Sequence, residues 1–252
     1  MLTEQESQLQ TYLEGFLTQR RKERMAAALA MRTRYMTCVL EDLYDPRNGS
    51  AVIRHCDALG IQDVHAIENN HRFRSDEQVD MGSGSWLDIH IHRHPENAPL
   101  SKKARRRAEF QGETLLPKRE SQTPQVLENL KSQGYRIIVT SPHAEDDATP
   151  ETLDLEAGPV AVLFGTEKYG ASEEAKAAAD GFLRIPMVGF VESFNISASA
   201  AIVLYTLATR MRASKLPWAL KEEDAERTYF EWVKSATPHA KELIHHFYSD
   251  EH

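Results

Sequence analysis

The sequence predicts an α/β protein, a sheet flanked by helices with helical extensions at both ends. Three observations predict it. Residues 35–40 and 61–67 are short β-rich apolar runs, and between them Ala51, Val52, Cys56, Ala58 and Leu59 recur at helical spacing. Val160–Phe164 is a further run with no polar residue, the pattern of a strand buried on both faces. Residues 4–31 and the segment after Pro217 read as helical.

The elements follow in order. Leu9, Leu13, Phe16 and Leu17 lie at helical spacing, and Met25-Ala26-Ala27-Ala28-Leu29-Ala30 is a strong helix former, so 4–31 is predicted as helix. It carries the basic cluster Arg20, Arg21, Lys22 and Arg24. After the strand at 35–40, Asp45-Pro46-Arg47-Asn48-Gly49-Ser50 predicts a loop that caps the next helix, which Gly60 ends. A strand at 61–67 completes a strand–helix–strand unit. Residues 86–92 alternate like a strand. Residues 95–123 are polar and basic, with Lys102, Lys103, Arg105, Arg106 and Arg107, and read as an excursion from the core. Helix 124–133, strand 135–140, an acidic loop, strand Val160–Phe164, a helix near 172–180, strand 182–185 and a long helix at 195–213 follow. Trp218, Phe230, Trp232 and Phe247 are the residues that could dock the acidic tail. The division is therefore an N-terminal extension at 1–34, a core at 35–213 containing the 95–123 excursion, and a tail at 214–252.

Composition bounds the function. The chain has 252 residues and a net charge of −8, which at first argues against a nucleic-acid partner. The distribution is uneven: 1–34 balance to +2, 95–120 to +3, and 141–180 to −8. No run of some 18 apolar residues predicts a membrane span, and the acidic N-terminus does not read as a secretory signal. Cys38 and Cys56 sit in apolar segments, as buried reduced thiols do, so a cytoplasmic protein is expected. The eleven histidines show no metal-ligand spacing; His90, His92 and His94 alternate along a strand.

Three strand-to-helix loops could carry chemistry, because open α/β sheets bind ligands there. In the first, Asn48 fits a cap, and Arg54 lies six residues on in an apolar helical turn, where a guanidinium snorkels, pairs or binds an anion. The second, Leu163-Phe164-Gly165-Thr166-Glu167-Lys168-Tyr169-Gly170, has glycines that would let backbone approach a ligand, but neither a P-loop ending nor a dinucleotide fingerprint. The third, Ile185-Pro186-Met187-Val188-Gly189-Phe190-Val191-Glu192-Ser193-Phe194-Asn195-Ile196-Ser197, breaks a strand and enters a helix with Asn195 as N-cap. Capping alone does not account for so many small and polar residues in one turn.

Together and in this order, the three segments resemble the SpoU/TrmH family of the SPOUT methyltransferases: Asn48 and Arg54; Phe-Gly-x-Glu-x-x-Gly at 164–170; Ile-Pro-Met-x-Gly-x-x-x-Ser-x-Asn-x-Ser at 185–197. The resemblance covers roughly 35–210, and 95–120 exceeds the family's usual connection. It implies a mostly parallel SPOUT-type sheet with a deep trefoil knot near the C-terminal end of the core, an exception to ordinary chain topology. It also implies a homodimer and S-adenosylmethionine as methyl donor, contacted by Thr140, Gly165, Ile185, Met187 and Phe194. The activity implied is RNA ribose 2′-O-methylation, with Arg54, Asn48, Glu167, Ser193 and Asn195 catalytic. Arg54 would orient the phosphate and the 2′-hydroxyl; the family's matching Arg has also been proposed as the base, a demanding role for a group with pKa above ~12. Neither a metal nor a membrane is implied.

The resemblance favours tRNA, and the subgroup most similar methylates guanosine 18 of the D-loop. Ribosomal RNA or another tRNA position is the enzymatic alternative; only about 34 residues precede the first strand, too few for a packed RNA-binding domain. A catalytically silent RNA-binding protein would be expected to lose Arg54 or the glycines. A Rossmann-type enzyme would carry a glycine-rich loop after the first strand, which 45–50 is not. The basic residues of 20–24 and 102–107 are the candidate RNA contacts.

Overall fold

The structure, a computed structural model, describes residues 1–73, 79, 81–93, 120–142, 148–166 and 168–249. The chain divides into two compact units, Tyr35–Leu216 and a second made of Met1–Arg34 with Pro217–His252.

The larger unit is built on six strands, β1 (Met36–Glu41), β2 (Asp63–Glu68), β3 (Asp88–Arg93), β4 (Arg136–Thr140), β5 (Val160–Phe164) and β6 (Gly181–Leu183). They form one sheet in the order β3-β2-β1-β5-β4-β6. Every neighbouring pair is parallel. The helices are α3 (Pro46–Ala58), α4 (Thr123–Ser132), α5 (Glu173–Ala178) and α6 (Ile196–Ala213). Central strands β1 and β5 are buried along their whole length, so both faces are covered and the sequence shows apolar runs rather than alternation. One core cluster joins Val39, Leu127, Leu130, Val139 and Leu163, packing α4 on the sheet. Edge strand β3 is half-buried to exposed, and it alternates because only one face has a layer over it.

The segment 45–50 is not a loop. Asp45 is the N-cap, its carboxylate accepting from Arg47 N at 2.9 Å, and Pro46 opens the helix. Proline suits that first position because its missing N–H has no intrahelical partner to lose. Asn48 therefore lies within α3 and does not cap it.

In the smaller unit, the helix expected over 4–31 is two, α1 (Glu4–Glu14) and α2 (Gln19–Leu29). Thr3 and Glu6 form a capping box on α1, and Thr18 accepts from Arg21 N to start α2 anew. The tail forms α7 (Glu222–Ala236) and α8 (Ala240–Ser249). Leu9, Leu13 and Met25 are buried in this unit, as are Phe230, Trp232 and Val233 of α7. Arg32 lies over the Trp232 ring at 5.0 Å, and Phe247 packs on Tyr12 with centroids 5.4 Å apart. Arg227 grips Glu6 through both terminal nitrogens at 2.6 and 3.2 Å and holds its carboxyl down to about 2.

Candidate active site

The site gathers where a parallel sheet places it, beyond the carboxyl ends of β1, β4, β5 and β6. Seven residues are close to two helical turns, so Asn48 and His55 point from the same face of α3. Both meet the start of α6. Asn195 Nδ2 donates to Asn48 Oδ1 at 3.2 Å, and His55 Nε2 lies 3.2 Å from Ser197 Oγ. Burial lowers the His55 pKa, Ser197 opposes that shift, and Arg54 adds to it. Arg54 is turned to the exposed side of α3, with no hydrogen bond or ion pair to a described residue. Asn195 has a second role: its Oδ1 accepts from Ser197 N at 2.9 Å, making it the N-cap of α6. One side chain thus both starts α6 and ties it to α3.

The loop after β5 folds on itself. Thr166 N donates to Gly170 O at 2.9 Å and Gly170 N returns to Thr166 O at 3.0 Å. This closure leaves no room for a side chain at Gly165, where a Cβ would stand 2.2 Å from Gly170 C and from Ala171 N. The glycine is demanded by the loop's own backbone, not only by approach of a ligand. The loop is anchored by Glu41, which is buried at the end of β1. Its carboxylate accepts from Ser172 N at 2.9 Å, Ser172 Oγ at 2.6 Å and Thr123 Oγ1 at 2.6 Å. Three donors satisfy a charge that would otherwise be costly to bury. Ser172 also caps α5. Glu167 lies outside the described residues.

The loop from β6 to α6 is the least regular. The main chain of 185–191 makes no hydrogen bond to another described residue. Val188 and Phe190 are fully exposed.

These loops enclose a cavity of ~530 Å³, within the range that holds small-molecule ligands. Thr140, Gly165, Ile185, Met187 and Phe194 all line it, and so do Ser193 and Asn195. Thr140 is fixed there because its hydroxyl donates to Leu163 O at 2.9 Å. Asn48 and Arg54 are not on the cavity wall; the Asn48–Asn195 hydrogen bond connects their helix to it. Among the described residues, no group of three or more His, Cys, Asp or Glu side chains could hold a metal ion. No described helix is long and apolar enough to cross a membrane.

The model of the SpoU rRNA methylase family matches residues 88–205. A tRNA (guanosine(18)-2′-O)-methyltransferase of Borreliella burgdorferi is 33% identical over 216 residues, covering 84% of each chain. The chain belongs to the SpoU methylase family. The crystal structure of the A. aeolicus TrmH/SpoU tRNA modifying enzyme matches its fold with a TM-score of 0.68, at 21% identity, over 87% of this chain and 98% of that one. A second fold match is the SpoU methyltransferase AviRb from Streptomyces viridochromogenes in complex with AdoMet, at TM-score 0.52 and 19% identity, over 75% of this chain and 65% of that one.

In this SpoU family member the predicted site residues fall into two groups. Seven converge on the cavity, and Asn48 joins them through Asn195. Lys102, Lys103, Arg105, Arg106 and Arg107 lie outside the described residues, as does His94. Arg20, Arg21, Lys22 and Arg24 lie on α2 of the smaller unit. His55 and Glu41 were not singled out by sequence. Glu41 carries a signal, a carboxylate ending an apolar strand; His55 carries none, since its partner is 142 residues away.

Proposed function

We propose that this SpoU family member transfers the methyl group of S-adenosylmethionine to the ribose 2′-oxygen of guanosine 18 in tRNA. The substrate reading rests on family membership and on the B. burgdorferi relative, whose name states that reaction. One observation supports the site above the others. Residues from three separate loops line a single cavity, and Asn195 on its wall is hydrogen-bonded to the helix that bears Arg54.

The residues fit the methyl donor. Phe164, Leu183, Ile185 and Met187 offer an apolar slot for an adenine ring. The 185–191 main chain offers donors and acceptors that no described residue uses. Thr140, Ser193 and Asn195 add side-chain polar groups for the ribose and the amino-acid end. When bound, S-adenosylmethionine supplies an electrophilic methyl carbon on a sulfonium. The protein's task is to bring a ribose oxygen in line with that carbon and to ease loss of its proton. Arg54 serves this with a planar fork of donors that grips the phosphate beside the ribose, orients the 2′-hydroxyl and stabilises the developing charge. With a pKa above ~12 it is not the proton acceptor. Asn48 and Asn195 hold α3 against α6 and so fix where the guanidinium reaches; Ser193 and Glu167 orient substrate and donor.

The core carries the deep trefoil knot of the SPOUT superfamily, and the enzyme acts as a cytoplasmic homodimer. The exposed apolar side chains Val188, Phe190 and Tyr205 support an interface with a second copy. The basic residues on α2 and in 102–107 hold the tRNA phosphate backbone. Incubation with labelled donor tests the reading. Unmodified tRNA is expected to take up label and ribosomal RNA is not; label on ribosomal RNA alone would transfer the activity to that substrate.

A further inference from the structure

Asp42, the residue after β1, has a left-handed backbone with φ +54°. Its buried carboxylate collects the turn that follows β2. Oδ1 accepts from Asn69 N at 3.1 Å, Asn70 N at 2.6 Å and His71 N at 2.7 Å. Oδ2 accepts from Asn70 Nδ2 at 2.9 Å and lies 3.3 Å from His71 Nδ1. A non-glycine residue adopts this conformation at a cost that only such a set of bonds offsets. The clamp fixes the His71 ring, and that ring meets Tyr44 edge to face, with centroids 5.1 Å apart and planes at 87°. Tyr44 is pinned from the other side as well, since Asp45 is the N-cap of α3. Yet Tyr44 remains 69% exposed. Little of its surface is buried, so an aromatic ring there adds little to folding, while the apparatus that holds it is extensive.

What lies next to the ring indicates an occupant. Arg47 and Arg54 are both exposed on α3 and, at seven residues apart, lie on one face two turns from each other. An exposed aromatic followed by guanidinium groups is the chemistry that binds an unpaired polynucleotide strand, with a base stacked on the ring and phosphates on the cations. We propose that Tyr44, braced by His71 and the Asp42 clamp, is a stacking platform for an unpaired nucleobase of the RNA substrate, next to the nucleotide whose ribose meets Arg54. The inference rests on the RNA-methyltransferase reading and adds a base-binding residue to it.

The test uses the full-length protein and an unmodified tRNA transcript, with equilibrium binding measured separately from methyl transfer. Stacking is lost in Tyr44→Ala and in Tyr44→Leu, which keeps an apolar side chain. Both are expected to weaken tRNA binding roughly 5- to 100-fold, the range of one base–aromatic stack. Tyr44→Phe stays within about twofold of wild type, and S-adenosylmethionine binding is unchanged in all three. A transcript with 2-aminopurine beside guanosine 18 adds a readout that a structural role would not move. Its fluorescence is expected to be quenched by the wild type and not by Tyr44→Leu. Wild-type affinity in Tyr44→Leu, or a Tyr44→Phe as weak as Tyr44→Ala, would overturn the platform. If the wild type binds tRNA through Tyr44 but transfers no methyl group, the platform stands and the enzymatic reading fails.

Discussion

Arg54 stands on the exposed side of a helix whose opposite face is tied to α6 by Asn48 and His55. Its side chain is therefore available to a ligand while its backbone is held. Replacing it removes the fork without opening a cavity, so Arg54→Ala is expected to keep the wild-type unfolding midpoint and S-adenosylmethionine affinity. Methyl transfer falls roughly 10²-fold or more, the scale for removing one group that meets developing charge. Turnover within a few-fold of wild type would remove Arg54 from the chemistry. A second residue-scale prediction concerns His65. It is buried on β2, its Nδ1 lies 3.0 Å from His92 Nε2, and its ring stacks on His90, which pairs with Asp63 at 2.8 Å. Burial, then the neighbouring imidazoles, push its pKa down to about 4 from 6.5. The unfolded chain thus binds a proton in a range where the folded chain does not. The neutral-pH stability is present above about 6.5 and is lost as pH falls from there to about 4, by about 3 kcal/mol for this residue. Urea unfolding at pH 7 and pH 4.5 should show a smaller difference for His65→Val than for wild type. An equal difference would mean that other groups carry the pH dependence.

At the scale of elements, the strands were legible because a parallel sheet covered on both faces demands continuous apolar runs, and Val160–Phe164 is nothing else. The long helix at 195–213 was legible from its cap, Asn195. The start of α3 was not, although Asp45-Pro46 is itself a helix-start pattern; the density of turn residues in 45–50 outweighed it. The break between α1 and α2 was hidden by helix-forming residues on both sides, and Thr18 marks it only in hindsight. Contacts between elements left no periodic trace. His55–Ser197 and Glu41–Ser172 span 142 and 131 residues, and only the tertiary fold brings them together. The loop after β5 gives the prediction at this scale. In Gly165→Ala the added methyl meets main-chain atoms at 2.2 Å, and backbone cannot step aside as a side chain would. The Thr166–Gly170 closure must open, so S-adenosylmethionine is expected to bind at least about tenfold more weakly, as second-shell disruption commonly causes. Unchanged affinity by titration calorimetry would show that the loop does not shape the cavity.

Across the whole molecule, the −8 charge misleads as a single number. Acidic residues concentrate at 141–180, while α2, α3 and 95–120 expose arginine and lysine. The partition of the chain was only partly legible too. The two ends of the sequence build one helical unit, which no local pattern announces, and residues 35–216 form the other. Family membership, the parallel sheet and the cavity make the position of the methyl group in the product the decisive observable. Mass-spectrometric mapping of a tRNA transcript incubated with the protein and S-adenosylmethionine should find 2′-O-methylguanosine at position 18 with the wild type and none with Arg54→Ala. A methyl group on a base, on another ribose, or retained in full by Arg54→Ala would contradict the account.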